Sequence, residues 1–321
     1  MGRLFTPVAL APAQPRPQRS ARVRAVLRLL AAGVGLASSL ALLGLIWPET
    51  DRAVRDEGPP SAADLAELPN RPINVLLIGS DADRTGQVVN GAAPRGPANS
   101  DALLLVHVDP QGPLQLLSLP VETAVQLPGD QQPVALGSLY RRGGPALVAG
   151  AAAQLVGLPN NQPDRYLVLP RSALRELVDG LGRVELSPDR SMRYQDKSQN
   201  YRIQLDGGLQ VLDGGQVEQL LRFRDEQNGN ARRRERQQMA VESVLRQMAQ
   251  QQQLRQLPDL LASLQNGVET NLTTQEALSL LAAALRPGER MTFETLPLKA
   301  ALQPNSPLRQ LDGPAQQPWP R

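Results

Sequence analysis

Six arginines fall within the fifteen residues from Arg222 to Arg236, the densest run of charge in the chain. The planar guanidinium fork grips phosphate oxygens in pairs, whereas an ammonium offers only a point charge. Arg222 and Arg224 stand two apart, a spacing that aligns side chains only on extended backbone, so a preceding helix is expected to end before Phe223. Arg233 and Gln237 fall one helical turn apart, with Arg236 adjacent, on a face that continues into Val241 and Val244. Together these side chains read as a converging cradle for phosphate. A solvated basic helix face is the plainer alternative.

Two acids complement the arginines. Asp81 follows the apolar run Ile73–Ser80, and Asp101 precedes the run Ala102–Val108. If those runs are antiparallel neighbours, both carboxylates meet at one sheet edge. There they suit a magnesium ion shared with a substrate diphosphate, because Mg²⁺ takes one or two carboxylates and leaves its other positions to water and phosphate. The alternative is that each aspartate caps a turn.

Composition removes most other chemistry. The 321 residues contain no cysteine and one histidine, His107, so thiol nucleophiles, Cys/His zinc sites and a Ser/His/Asp triad are excluded or strained. His107 shares a strand face with Leu103 and Leu105 and reads as a packing residue. Nine aromatics argue against a stacking platform for single-stranded nucleic acid. Of 34 cations 32 are arginine, a bias that genome composition alone can produce.

The elements that must position these groups follow from periodicity. Residues 73–81, 102–108 and 114–119 are buried strands, the last two a hairpin across the turn Asp109-Pro110-Gln111-Gly112. Both faces of these strands are apolar, so helices must cover the sheet on each side. Helices are expected at 145–156, at 172–181 capped by Ser172, from the cap Asp213 to about 222, at 232–250, at 254–266 and at 273–286 after the cap Thr273. Strands are expected at 165–169, around 192–196 and at 291–296. Residues 1–24 form a basic tail without acids; 25–47 contain 19 consecutive uncharged, mostly apolar positions, enough for one transmembrane helix. Arginines before that span and acids after it place the amino terminus in the cytoplasm and the main domain outside the cytoplasmic membrane, in the periplasm, and so away from nucleic acid. Residues 48–70 read as a linker, 71–298 as the folded domain and 299–321 as a disordered tail.

With those residues placed, the sequence resembles the LytR-CpsA-Psr (LCP) family of bacterial envelope proteins. The matching segments, in order, include Asn74–Asp81, Ser100-Asp101, Leu105–Pro110, Ser118–Pro120, Gly143-Gly144-Pro145, Met192–Asp196, Leu212-Asp213-Gly214, Arg222-Phe223-Arg224 and Glu235–Gln238. The resemblance implies a mixed α/β fold, a central β-sheet sandwiched by helices, with a groove for a polyprenyl chain. It implies transfer of a glycopolymer from a polyprenyl-pyrophosphate carrier to a hydroxyl of peptidoglycan or another wall glycan. On that match Asp81 and Asp101 are metal ligands for Mg²⁺; Arg222, Arg224, Arg233 and Arg236 bind the diphosphate; and Gln237 orients it. Asp101 and Glu122 are the candidate catalytic acids, Glu122 as general base. Such chemistry needs positioning and charge stabilisation more than a covalent nucleophile.

The chain departs from the family pattern where Asn99 and Val121 replace arginine, Ala135 replaces lysine and Asn230 replaces an acid. Arg84, Arg95, Arg141 and Arg142 are the available substitutes for the three lost cations. A protein that binds polyprenyl phosphate without transferring it is therefore the rival reading. A transcriptional attenuator is a third, disfavoured by topology.

Overall fold

The computed structural model divides into two units, Met1–Gly58 and Pro59–Arg321. It describes residues 60–87, 96–159, 161–197, 201–224, 229–286, 288, 291–301, 306–315 and 317–319, all in the second unit. Among them no helix is long and apolar enough to cross a membrane. The expected basic tail and transmembrane span lie outside the described residues.

Strands β1 (Ile73–Ser80), β2 (Ser100–Val108) and β3 (Leu114–Ser118) form an antiparallel meander, as their apolar runs and intervening turn require. Two short strands follow, β4 (Ala124–Val125) and β5 (Val134–Ala135), then helix α1 (Tyr140–Leu155) and strand β6 (Arg165–Leu169). Helical dihedrals break at Gly143 and Gly144, so regular helix begins at Pro145 as the sequence indicates. Helix α2 (Arg171–Gly180) leads into β7 (Val184–Leu186), the hairpin β8 (Met192–Asp196) and β9 (Tyr201–Leu205), and β10 (Gln210–Leu212). The remainder comprises α3 (Gly214–Arg222), α4 (Gly229–Met248), α5 (Gln251–Leu264), β11 (Glu269–Thr270), α6 (Thr274–Ala284) and β12 (Met291–Thr295).

The main sheet has six strands in the order β11-β6-β1-β2-β3-β12 and is mixed, with β6 parallel to β1 and β12 parallel to β3. Alternation along its strands sorts the side chains. Leu76, Ile78, Leu103, Leu105 and Leu117 pack with Val148, Ala151 and Ala152 of α1. Leu104, Val108, Leu114 and Leu116 pack with Leu245 of α4 and Ala283 of α6 on the opposite face. Strands β7 to β10 close a second core with Val178 of α2, Val217 and Leu220 of α3 and Ala240 of α4.

Three expectations need correction. Ser172 does not cap α2; Pro170 holds the cap position, and the first helical N–H groups, of Arg171 and Ser172, donate to the carbonyls of Ala82 and Asp83. Part of the expected linker is packed: Ala62 is buried beside Leu181 and Leu257, and Ser279 donates to the Glu67 carbonyl at 2.6 Å. Part of the expected disordered tail is also structured. Arg309 pairs with the backbone of Glu122 and Ala124, and Trp319, 5% exposed, stacks on His107 at 5.0 Å while its indole N–H donates 3.0 Å to Asn74 Oδ1. His107 Nδ1 lies 2.8 Å from that same oxygen, which bears out the packing role of the one histidine. Backbone pairing at Arg309, packing of Leu311 and the Trp319 ring together hold a segment whose composition is otherwise polar.

Trp319→Ala is expected to destabilise the domain by about 3 kcal/mol, the low end of the range for truncating a buried tryptophan. Urea unfolding measures it; an unchanged midpoint would show that the indole contributes nothing.

Candidate functional site

The carboxyl end of β1 and the amino end of β2 meet at one edge, with Ser80 opposite Ser100 across a register shift. The backbone closes this end reciprocally: Asp81 N–H donates to Asn99 O at 3.1 Å, and Asn99 N–H donates to Asp81 Oδ1 at 2.8 Å. Asp81 is 9% exposed. Burial raises its pKa above the ordinary carboxylate range, the like charge of Asp101 adds to that shift, and the Asn99 amide opposes it.

A cleft of about 490 Å³ opens over this edge. Asp81, Asp101 and Glu122 line it, as do Arg222, Arg224 and Arg233, so Asp81 and Arg233, 152 positions apart, share one cavity. Helix α3 ends at Arg222 and Phe223 turns extended (φ −61°, ψ 127°), the geometry the Arg-x-Arg spacing demands. Arg224 and Arg233 then reach Asp101 Oδ1 from two elements, at 3.1 and 3.3 Å. Gln237 donates to the Asp101 carbonyl at 3.4 Å from one turn further along α4.

The Arg233 side chain is 4% exposed, and burial pulls its pKa down from the ordinary arginine value while Asp101 opposes the shift. Arginine stays charged in proteins, so Asp101 is the counter-charge that makes a buried guanidinium tolerable. Ala135, Gly137 and Ser138 also line the cleft. Gly137 donates its N–H to the Val121 carbonyl at 2.9 Å, and a Cβ there would lie 2.7 Å from Ser100 O, so only glycine permits this approach.

Two expected phosphate ligands are placed differently from the rest. Arg222 lines the cleft, but its guanidinium lies 4.0 Å over the Tyr201 ring and 3.3 Å from Glu218 Oε1. Arg236 does not line it. This side chain, 2% exposed, sits 5.5 Å from the centre of the Phe223 ring and donates to the Phe223 carbonyl, just past the end of α3. A cation there satisfies a carbonyl that the helix end leaves without an intrahelical donor. Arg236 therefore shapes the corner that carries Arg224.

Other contacts were not legible. Arg234 of α4 reaches Glu122 Oε1 at 2.6 Å, while Glu122 Oε2 is buried without a hydrogen bond among the described residues. Glu218, on α3, accepts from Arg171 and Arg175 of α2 as well as Arg222. The only sequence signal for Arg234 was its membership of the arginine run. For Glu218 it was the i,i+4 spacing to Arg222. Asn99, Val121, Ala135 and Asn230, the four departures from the family pattern, all line the cleft. Three of the expected substitutes do not: Arg84 and Arg141 line a second cavity of about 320 Å³, and Arg142 pairs with Asp130; the fourth, Arg95, lies outside the described residues.

Among the described residues no group of three or more His, Cys, Asp or Glu is arranged to hold a metal. Asp81 and Asp101 are the available donor pair, and both guanidinium contacts fall on a single Asp101 oxygen. Two carboxylates meet the modest protein-ligand demand of Mg²⁺, and their mutual repulsion is the kind a cation relieves.

The LytR_cpsA_psr family model matches residues 49–314. The chain belongs to the LytR-CpsA-Psr family. A curated relative from Enterococcus faecalis, a polyisoprenyl-teichoic acid–peptidoglycan teichoic acid transferase named TagU, is 26% identical over 204 residues, covering 63% of this chain and 62% of the relative. This chain thus spans less than two thirds of that relative's length. Among solved structures, TagV of B. subtilis matches with a TM-score of 0.60 at 20% identity, covering 76% of this chain and 92% of that one. A LytR-Csp2A-Psr enzyme from Actinomyces oris matches at 0.59 and 17%, covering 78% and 94%. At these identities the structural matches establish the mixed α/β fold that this chain shares with other family members.

Proposed function

We propose that this protein is a glycopolymer transferase that moves a glycan from a polyprenyl-pyrophosphate carrier to a wall-glycan hydroxyl. The observation that carries this reading is the convergence of Arg224 and Arg233 on Asp101 at the mouth of one cleft, beside Asp81. In the proposed reaction the acceptor oxygen forms a bond to the glycan-side phosphorus. The bond from that phosphorus to the bridging oxygen breaks, and polyprenyl phosphate leaves with the bond's electrons. Arg224 and Arg233 stabilise negative charge gathering on the phosphoryl oxygens, and Asp101 holds both guanidiniums ready for it. Glu122, held by Arg234, lies on the cleft wall where it can take the acceptor's proton. Asp81 and Asp101 would hold Mg²⁺, which would supply further charge neutralisation at the diphosphate. The apolar span at 25–47 would anchor the chain with this domain outside the cytoplasmic membrane, a topology that a reporter fused after residue 60 tests.

Arg224→Ala is expected to weaken inorganic pyrophosphate binding about tenfold or more, since one charge-assisted contact contributes about 1.5–3 kcal/mol. Calorimetric titration in Mg²⁺ measures it, and unchanged affinity removes Arg224 from the site. A binding protein without transfer activity is favoured by one specific observation, the four substituted positions that line the cleft. Incubation with a lipid-pyrophosphate donor, an oligosaccharide acceptor and Mg²⁺ separates the two readings: lipid binding without a phosphodiester product selects the second.

A further inference from the structure

Three aromatic rings line the cleft: Tyr194, Tyr201 and Phe223. Two of them are covered. Arg222 lies 4.0 Å over Tyr201, and Arg236 and Arg190 stand 5.5 and 6.0 Å from the centre of the Phe223 ring. Tyr194 is 51% exposed, one of the few large apolar side chains on the surface, and no stacking partner covers it among the described residues.

Its setting is a paired hairpin. Strands β8 and β9 pair in register, Tyr194 with Ile203 and Asp196 with Tyr201, and all four residues line the cleft. Met192 and Leu205, also paired and 0% and 2% exposed, pin the same hairpin to the second core. Among the described residues this cleft thus presents one aromatic ring without a stacking partner and, two residues along the same strand face, a carboxylate. A ring face beside a carboxylate matches a pyranose, which offers a C–H face to the ring and hydroxyl donors to the acid.

We infer that Tyr194 is the stacking floor of a pyranose subsite in this cleft, with Asp196 accepting sugar hydroxyls. The inference rests on the glycan-transfer reading and specifies which wall of the cleft meets the sugar. The ring that stacks there comes from the donor glycan beside the diphosphate or from the acceptor glycan.

The test titrates the full-length protein with three probes: a neutral N-acetylglucosamine oligomer, an N-acetylglucosamine 1-phosphate, and inorganic pyrophosphate. Tyr194→Ala is expected to weaken one of the two sugar probes about tenfold, while Tyr194→Phe and Tyr194→Trp bind it within about twofold of wild type, because they keep a ring face. Loss confined to the neutral oligomer assigns the subsite to the acceptor, and loss confined to the sugar phosphate assigns it to the donor. Asp196→Asn should weaken the same probe by a smaller factor. Pyrophosphate affinity should stay within about twofold in all Tyr194 variants, since a half-exposed side chain contributes little to folding. The inference is overturned if the wild type binds neither sugar, if Tyr194→Ala binds both as wild type does, or if the aromatic replacements bind no better than alanine. Arg224→Ala separates the two claims: it should lose pyrophosphate affinity and keep the neutral sugar. Unchanged pyrophosphate binding there defeats the diphosphate site and leaves the sugar subsite standing.

Discussion

Under the proposed function, replacing Asp101 with alanine is expected to lower transfer by about 10²–10³-fold and to lower stability together. Asp101 Oδ1 is the common partner of Arg224 and Arg233, and the Arg233 side chain is 4% exposed. Without the carboxylate, that buried guanidinium loses its hydrogen-bonded counter-charge and keeps only the weaker attraction of Glu122. Breaking a fully buried pair costs about 3–5 kcal/mol. Because the Asp101 side chain is itself 36% exposed, water screens part of the interaction, and about 2 kcal/mol is the expected loss. For a domain of this size that lowers the melting temperature by roughly 4–8 °C. The two arginines lose the group that aims them, and removal of an organised charge-stabilising contact lowers turnover by about 10²–10³-fold. Asp101→Asn, which keeps the shape and an acceptor oxygen, should recover part of the stability but little of the activity. Full activity in the asparagine variant would mean that the charge at this position is irrelevant to the reaction.

The second large effect is expected at Glu218. Its side chain is 7% exposed and receives three guanidiniums, Arg171 at 3.1 Å, Arg222 at 3.3 Å and Arg175 in closer contact. Asp83 is the other acid of the cluster, 2.8 Å from Arg175 and 3.8 Å from Arg171. Glu218→Ala leaves three cations around one partly exposed carboxylate, at a cost of about 3–5 kcal/mol. Glu218→Met, which fills the volume but not the charge, should be nearly as destabilising, because the penalty lies in the arginines left behind. Urea unfolding of both variants checks this. If methionine restores wild-type stability, then Glu218 serves as packing and not as a counter-charge. Arg222 should also lose its fixed pose over Tyr201, so pyrophosphate affinity is expected to fall in either variant.

Legibility differed from element to element for physical reasons. Strands β1, β2 and β3 are mostly apolar runs of eight, nine and five residues, and the Asp109–Gly112 turn makes the β2–β3 hairpin the shortest connection. The caps at Asp213 and Thr273 are local hydrogen bonds to N–H groups three residues on, and each appears where the sequence places it. The end of α3 at Arg222 followed from side-chain geometry alone. Ser172 misled because its competitor for the helix start was a backbone carbonyl of Asp83, brought in from 89 residues away. The polar composition after residue 300 concealed one tryptophan with a slot on the sheet to fill.

The sequence by itself determined the class of chemistry, because charge, the near-absence of histidine and the lack of cysteine are properties of residues wherever they sit. It also determined which acids and arginines were candidates, since strand alternation and helical spacing are local. Only the tertiary structure decided which of them meet: that Arg233 is buried against Asp101, that Arg236 turns to a carbonyl, that Arg234 reaches Glu122 across 112 residues, and that Tyr194 stays half-exposed in the cleft. Contacts of that range depend on how whole elements pack, and no periodicity within a single segment encodes them.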